Sequence, residues 1–357
     1  MFSTLAALLA AAALGAPADA AAPKIPILHS TDLFHPHDDP DDHYDLATLF
    51  ALPEFDVRGV ILDLGATQAK RSGRPAVEQM MRIAGRHAPF AHGLSRRLRT
   101  RDDKALDEPA EFQGGVELIL ATLRESSEKV TLFTAGSCRD VAAAFNRQPE
   151  LLRQKVRAVY FNVGRGPSEK QDEWNVGLDP LAYLRLFESG LPLYWCPCFG
   201  KDGYETFYSV DQRVVVGACV QPVQNYFVYC LTLSKADPIA FLTSGPHPLP
   251  TGGRNMWCTA PMFHAAGRSI YQRGPDDFVA LSPTAAEKAG LAGKAVDAFG
   301  FVPIRTTLAE HSKAGAATMD GKLNPADPNG FVFRSTTGQY KKIMASCLKN
   351  LLAELGR

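Results

Sequence analysis

No apolar run in this chain reaches the eighteen or so residues that a membrane-spanning helix needs. The longest, Leu5 to Leu14, has ten, so no membrane span is expected in the mature chain. Charge of one sign is also missing. Lys plus Arg and Asp plus Glu both number 38, leaving no overall field to draw a nucleic-acid polymer or an anionic lipid surface. There is no basic block and no zinc-finger spacing of Cys and His. Internal repeats and Ser/Gly linkers are absent as well, so residues 23–357 are expected to form one domain. Cysteine is present but sparse. The seven residues are widely spaced, an odd number that leaves at least one thiol outside any disulfide. Cys196-Pro197-Cys198 sits in a strand-like apolar run and reads as two core cysteines.

The first 22 residues differ from the rest. The apolar run is followed by Gly15, Pro17 and the small-x-small pattern Ala18-Asp19-Ala20, and no Lys or Arg precedes Lys24. Apart from the missing n-region cation, this is the layout of a signal peptide cleaved near Ala20 or Ala22. A secreted or periplasmic location is therefore expected.

Beyond it, short runs rich in Val, Ile, Phe and Tyr alternate with segments of helical period. Strands are predicted at Ile25–His29, Val57–Leu62, Val130–Thr134, Val156–Val163 and Leu193–Cys196. Helices are predicted at His43–Leu52, Ala76–Ile83, Val116–Leu123 and Val141–Asn146, with another opened by Pro180. This alternation predicts an α/β fold with a mostly parallel central sheet flanked by helices, Rossmann-like in layout. After about residue 200 the pattern loosens. Pro222–Leu233, Pro261–Tyr271 and Tyr340–Leu355 read as helices, and 313–330 as turn-rich.

The densest chemical signal lies between the first strand and the next helix. From His29 to Asp45 the chain carries Asp32, Asp38, Asp39, Asp41, Asp42 and Asp45 together with His29, His35, His37 and His43. Ligands of open α/β sheets bind beyond the carboxyl ends of the strands, where this loop belongs. Carboxylates so close together repel unless a cation or protons compensate them. A solvated loop with Asp42 capping a helix is the plainer alternative.

These residues resemble the N-terminal signature of the inosine–uridine-preferring nucleoside hydrolase family, a strand followed by Asp-x-Asp-Pro-Gly-x-Asp-Asp. Asp32 takes the place of the aspartate that follows the strand, Asp41-Asp42 matches the double aspartate, and Pro53-Glu54 and Gly59-Val60 follow in register. Thr131-Leu132-Phe133-Thr134-Ala135-Gly136 is similar to the family's central strand and glycine turn. Glu173-Trp174-Asn175, Asp179-Pro180 and Ser189-Gly190-Leu191-Pro192 are similar to its later segment.

The resemblance implies an N-ribosyl hydrolase with a small ribosyl substrate and a calcium ion. Cleaving a ribosyl C–N bond passes through an oxocarbenium-like state, which asks for negative charge and an activated water. By resemblance, Asp32 and Asp42 hold the metal, and Asp32 also takes the water's proton. Asp41, Glu173 and Asn175 bind the sugar. The family's late block is a His-Asp pair opening a helix, and the matching segment is read here as Phe263-His264-Ala265. His264 is then the proton donor or a contact to the base ring, while Ala265 lacks the oxygen of the usual metal ligand. The acid-rich loop is five residues longer than the signature, so Asp38 or Asp39 is expected to supply that oxygen. Ser30 replaces the first aspartate, Gly65-Ala66 the usual Gly-Asn, and no asparagine stands in the loop before Glu173.

Two other readings stay open. One is a non-catalytic nucleoside- or carbohydrate-binding protein of the same fold. The other is a metal-free glycosidase using Asp41 and Glu173 as its carboxyl pair. Nucleobase preference is not encoded in any pattern found, and nothing excludes a homo-oligomer.

Overall fold

The computed structural model describes residues 23–309 and 317–357. Residues 1–22, which the sequence reading takes as a signal peptide, lie outside the described residues. The described residues form fifteen strands, in chain order β1 (Ile25–Thr31), β2 (Phe55–Leu62), β3 (Phe90–His92), β4 (Val130–Ala135), β5 (Val156–Asn162), β6 (Lys170–Gln171), β7 (Leu193–Cys196), β8 (Tyr208–Asp211), β9 (Gly253–Met256), β10 (Ser269–Gly274), β11 (Asp277–Leu281), β12 (Ala295–Val296), β13 (Phe299–Ala309), β14 (Ala317–Leu323) and β15 (Gly330–Ser335). Ten of them form one sheet in the order β3-β2-β1-β4-β5-β7-β15-β13-β14-β6. Pairing is parallel from β3 to β15 and antiparallel beyond it.

The central strands are apolar on both faces because both faces are covered. In β4 every residue is buried: Leu132 packs into one core and Phe133 into the other. One core lies under helices Asp41–Ala51, Arg74–Ala84, Gln221–Leu231 and Tyr340–Leu352, the second under Gly114–Glu125, Arg139–Arg147 and Pro180–Glu188. The α/β architecture read from the sequence is the observed one.

Two expectations are corrected. Pro261–Tyr271 is not one helix. The helix spans Thr259–Ala265, Gly267 turns the chain at φ +67°, and β10 begins at Ser269. Part of the turn-rich stretch 313–330 is the strand β14, paired with β13 from Ile304–Leu323 to Ala309–Thr318. The seven cysteines are all buried and free, with Cys196 in the core.

The chain runs outward from β1 through β2 to β3, then crosses to β4 on the other side of β1 and continues to β5 and β7. The order therefore reverses between β1 and β4. That switch point, at the carboxyl ends of the strands, is where an open α/β sheet leaves a crevice. Among the described residues, no helix is long and apolar enough to cross a membrane.

Candidate active site

The crevice holds a cavity of about 530 Å³. Asp32 is the first residue after β1, and its amide donates to the Ala135 carbonyl at the end of β4 (3.0 Å). Asp41 and Asp42 form the first turn of helix Asp41–Ala51, where the helix dipole favours negative charge. Thr31, the last residue of β1, donates its hydroxyl to Asp42 Oδ1 at 2.5 Å. Asn162 ends β5. Asn175 lies in the short helix Trp174–Leu178 and donates its amide to the Asn162 carbonyl (2.9 Å). Asp32, Asp41, Asp42, Asn162, Glu173 and Asn175 all line the one cavity.

Glu173 does two things. It caps helix Trp174–Leu178, accepting from the amides of Asn175 (2.9 Å), Val176 (3.3 Å) and Gly164 (2.7 Å), and it also faces the cavity. Asp179 caps the next helix through the Ala182 amide (3.1 Å) and does not line the cavity.

The electrostatics fit a cluster without counter-charge. Burial, and next to it the neighbouring Asp63 carboxylate, push the Asp32 carboxyl up to about 7. Asp42 is raised by burial and by Asp32, Asp41 and Asp45, and Asp41 by burial and by Asp45, Asp39 and Asp32. Asp45, one helical turn further on, is buried at 1% exposure against the Cys258 thiol, and burial lifts it to about 7. Its carboxylate oxygens otherwise have no partner.

Asp38 does not join this cluster, which corrects its expected role as the replacement ligand. Arg71 grips both of its oxygens and holds its carboxyl below the usual range, and the side chain is 60% exposed. Asp39 is paired with Arg254 at 3.1 Å. Both stand at the cavity wall with their charge already engaged.

His264 is also misplaced by the sequence reading. It sits in the last turn of helix Thr259–Ala265, its Nδ1 2.7 Å from the Tyr160 hydroxyl, among the rings of Tyr160, Tyr194 and Phe301. It does not line the cavity. The pair that opens this helix is Trp257-Cys258, and both residues do line it. The sequence reading starts this helix at Pro261, two residues after its actual start at Thr259. His264→Ala should therefore change turnover by no more than about threefold, while losing roughly 0.5–1.5 kcal/mol of stability with the Tyr160 contact. A steady-state assay beside a thermal melt separates the two effects.

Sequence reasoning missed further residues. Asn162 was hidden as the last letter of an apolar strand. Asp63, one residue past β2, accepts from the amides of Leu64 (2.7 Å) and Ser137 (2.6 Å) and from the Ser137 hydroxyl (2.8 Å). It thereby ties the turn after β2 to the turn after β4. Both turns carry a non-glycine residue in the left-handed region, Leu64 at φ +61° and Cys138 at φ +60°, the kind of strain that collects at functional sites. Gly136, at φ +151°, lies so close that a Cβ would stand 2.7 Å from Asp63 Oδ2. A polar residue at a strand's carboxyl end, Asn162 within it and Asp63 one position past it, was the available signal.

The family described as inosine-uridine preferring nucleoside hydrolase matches residues 31–215, which hold every cavity residue from β1 to Cys198. This chain belongs to that family. Among curated nucleoside hydrolases of the family, the pyrimidine-specific ribonucleoside hydrolase RihA of Citrobacter koseri is 29% identical over 187 residues. RihA of Escherichia coli O1:K1 / APEC is 30% identical over the same length. Either alignment covers 47% of this chain and 58% of the relative, so the chain spans little more than half the length of these relatives. Solved nucleoside hydrolases share the fold more completely. A plant enzyme, PpNRh1, superposes with a TM-score of 0.55 at 15% identity, covering 93% of this chain and 99% of its own. The purine-preferring ribonucleoside hydrolase of Gardnerella vaginalis gives 0.53 at 15%, covering 92% and 99%.

Whether the site suits the calcium ion expected for the family turns on its donors. Asp32 and Asp42 offer carboxylate oxygens whose charge no Lys or Arg neutralises. Such oxygens suit a hard cation. Cys258, at the opening of helix Thr259–Ala265, offers only a thiol. Among the described residues, no three Asp, Glu, His or Cys groups stand ready arranged as a metal site. The donor chemistry thus fits a cation held chiefly by Asp32 and Asp42.

Proposed function

We propose that this chain hydrolyses the N-glycosidic bond of a ribonucleoside or related ribosyl compound. The observation that carries the reading is the gathering of Asp32, Asp41, Asp42, Asn162, Glu173 and Asn175 around one switch-point cavity. The relatives' names as ribonucleoside hydrolases support it.

The roles follow from the groups. Asp41 and Glu173 accept from ribose hydroxyls, while the Asn175 amide both donates and accepts. The Asn175 tie to the Asn162 carbonyl fixes its orientation before the sugar arrives. Asp32, raised to about 7 by burial and by Asp63, has the affinity for a proton that a general base needs at neutral pH. The carboxylates around it stabilise the positive charge that develops at the anomeric carbon. A calcium ion on Asp32 and Asp42 would supply Lewis acidity toward the ribose diol and the attacking water. Cys258 in place of an oxygen donor favours the second reading, a ribosyl-binding protein without turnover.

Ribose release from a nucleoside panel, run with added calcium and then with a chelator, tests the proposal. The hydrolase reading expects release that the chelator stops. The binding reading expects none in either state.

Export is part of the same proposal, on the apolar run and small-x-small pattern of residues 5–20. The natively expressed protein should begin at about residue 21 to 23. N-terminal sequencing checks it, and an intact Met1 on the accumulated protein would refute it.

A further inference from the structure

A nucleoside hydrolase must deal with its leaving group, and a nucleobase departing from a neutral nucleoside takes its electron pair with it and needs a proton. Among the described residues, the groups at hand are the carboxyls already assigned to the ribose and the Cys258 thiol. No histidine, lysine or tyrosine lines it among the described residues. Away from the ribose group, the wall carboxylates are Asp38 and Asp39, both committed to arginines. The helix opening that faces the cavity carries Trp257 and Cys258 instead of an acid.

The same walls offer something else. Trp174, Phe199 and Trp257 line the cavity, with Trp174 69% exposed at its mouth. Phe199 and Trp257 meet edge to face, centroids 5.8 Å apart at 77°. The Trp257 indole nitrogen is buried with no hydrogen-bond partner. The aromatic walls already attract cations: the Arg71 guanidinium lies 4.8 Å over Phe34, and Arg165 lies 5.5 Å over Phe199. Of the six carboxyl groups that line the cavity, Asp38 and Asp39 are paired with Arg71 and Arg254, and Asp32, Asp41, Asp42 and Glu173 have no arginine or lysine partner. Aromatic faces within a field of carboxylates are the chemistry that holds an organic cation.

We infer that the cavity selects N-ribosides whose aglycone carries a fixed positive charge at the nitrogen bonded to the anomeric carbon, the pyridinium type of riboside. This rests on the ribosyl-hydrolase reading and specifies its substrate. The chemistry removes the need for an acid. The water oxygen bonds to the anomeric carbon as the C–N bond breaks. The bond's electron pair returns to the ring nitrogen, and a neutral pyridine leaves. The water's proton passes to Asp32 and then to solvent, so each turnover releases one proton. A neutral nucleoside takes that proton up on its base and releases none.

The full chain with added calcium is assayed on N-ribosylpyridinium, uridine and para-nitrophenyl riboside, following ribose release and, in a pH-stat, proton release. The expected kcat/KM for the pyridinium riboside exceeds that for either other substrate by about tenfold or more. Phe199→Leu and Trp257→Leu should each lower the pyridinium rate by about three- to thirtyfold and the nitrophenyl rate by much less. Cleavage of para-nitrophenyl riboside with no preference for the pyridinium substrate would overturn the inference and leave the hydrolase reading standing. Equal losses on both substrates in both variants would overturn it too. Cleavage of none of the three would overturn the hydrolase reading itself.

Discussion

Asp32→Asn should abolish turnover, with kcat lower by about a hundredfold or more, while ribose affinity changes only a few-fold. The substitution keeps the side chain's size and its place between the ends of β1 and β4, but removes both the base and a donor oxygen for a cation. Asp63 and Glu173 act on Asp32 at its place on the cavity wall and raise its affinity for a proton. Steady-state kinetics beside ribose binding by calorimetry read the two quantities separately. A variant that kept more than about a tenth of the wild-type kcat would remove Asp32 from the chemistry.

The second large effect is expected away from the substrate. Asp63→Ala leaves two backbone amides and one hydroxyl without their acceptor in a fully buried place. At about 1–3 kcal/mol for each buried donor left unmade, partly offset by relaxation, a loss on the order of 3–5 kcal/mol is expected. The turns holding Leu64 and Cys138 at positive φ would relax, so the lost stability should come with weaker ribose binding. Denaturant unfolding measures the first and calorimetry the second. Asp63→Asn, which keeps one acceptor oxygen, should recover part of both. A loss below about 1 kcal/mol for Asp63→Ala would show that the two turns hold without it.

The parts of this molecule legible in its sequence are those set by local pattern. Strands β1, β2, β4, β5 and β7 are buried on both faces and write themselves as apolar runs. The Asp41-Asp42 pair follows β1 closely in sequence, and Asp32 follows it directly. What escaped depends on partners far along the chain. The β13–β14–β15 ladder is held by pairings such as Phe301 with Phe333 and Arg305 with Lys322, and Gly and Asn within 313–330 read locally as turns. Trp257 and Cys258 carry no polar signature. They reach the cavity because β9 pairs with β8 and delivers the start of helix Thr259–Ala265 there. Asp38 drew attention by composition, yet Arg71, 33 residues away, decides where its carboxylate goes. Charge density located the site, and long-range pairing chose which charges are free.

The most direct test is to incubate the purified chain with calcium and individual ribosides and follow the anomeric protons by NMR. The account predicts that free ribose and free aglycone appear together and in equal amounts. Ribosides recovered intact, from a protein that nevertheless binds ribose, would contradict it.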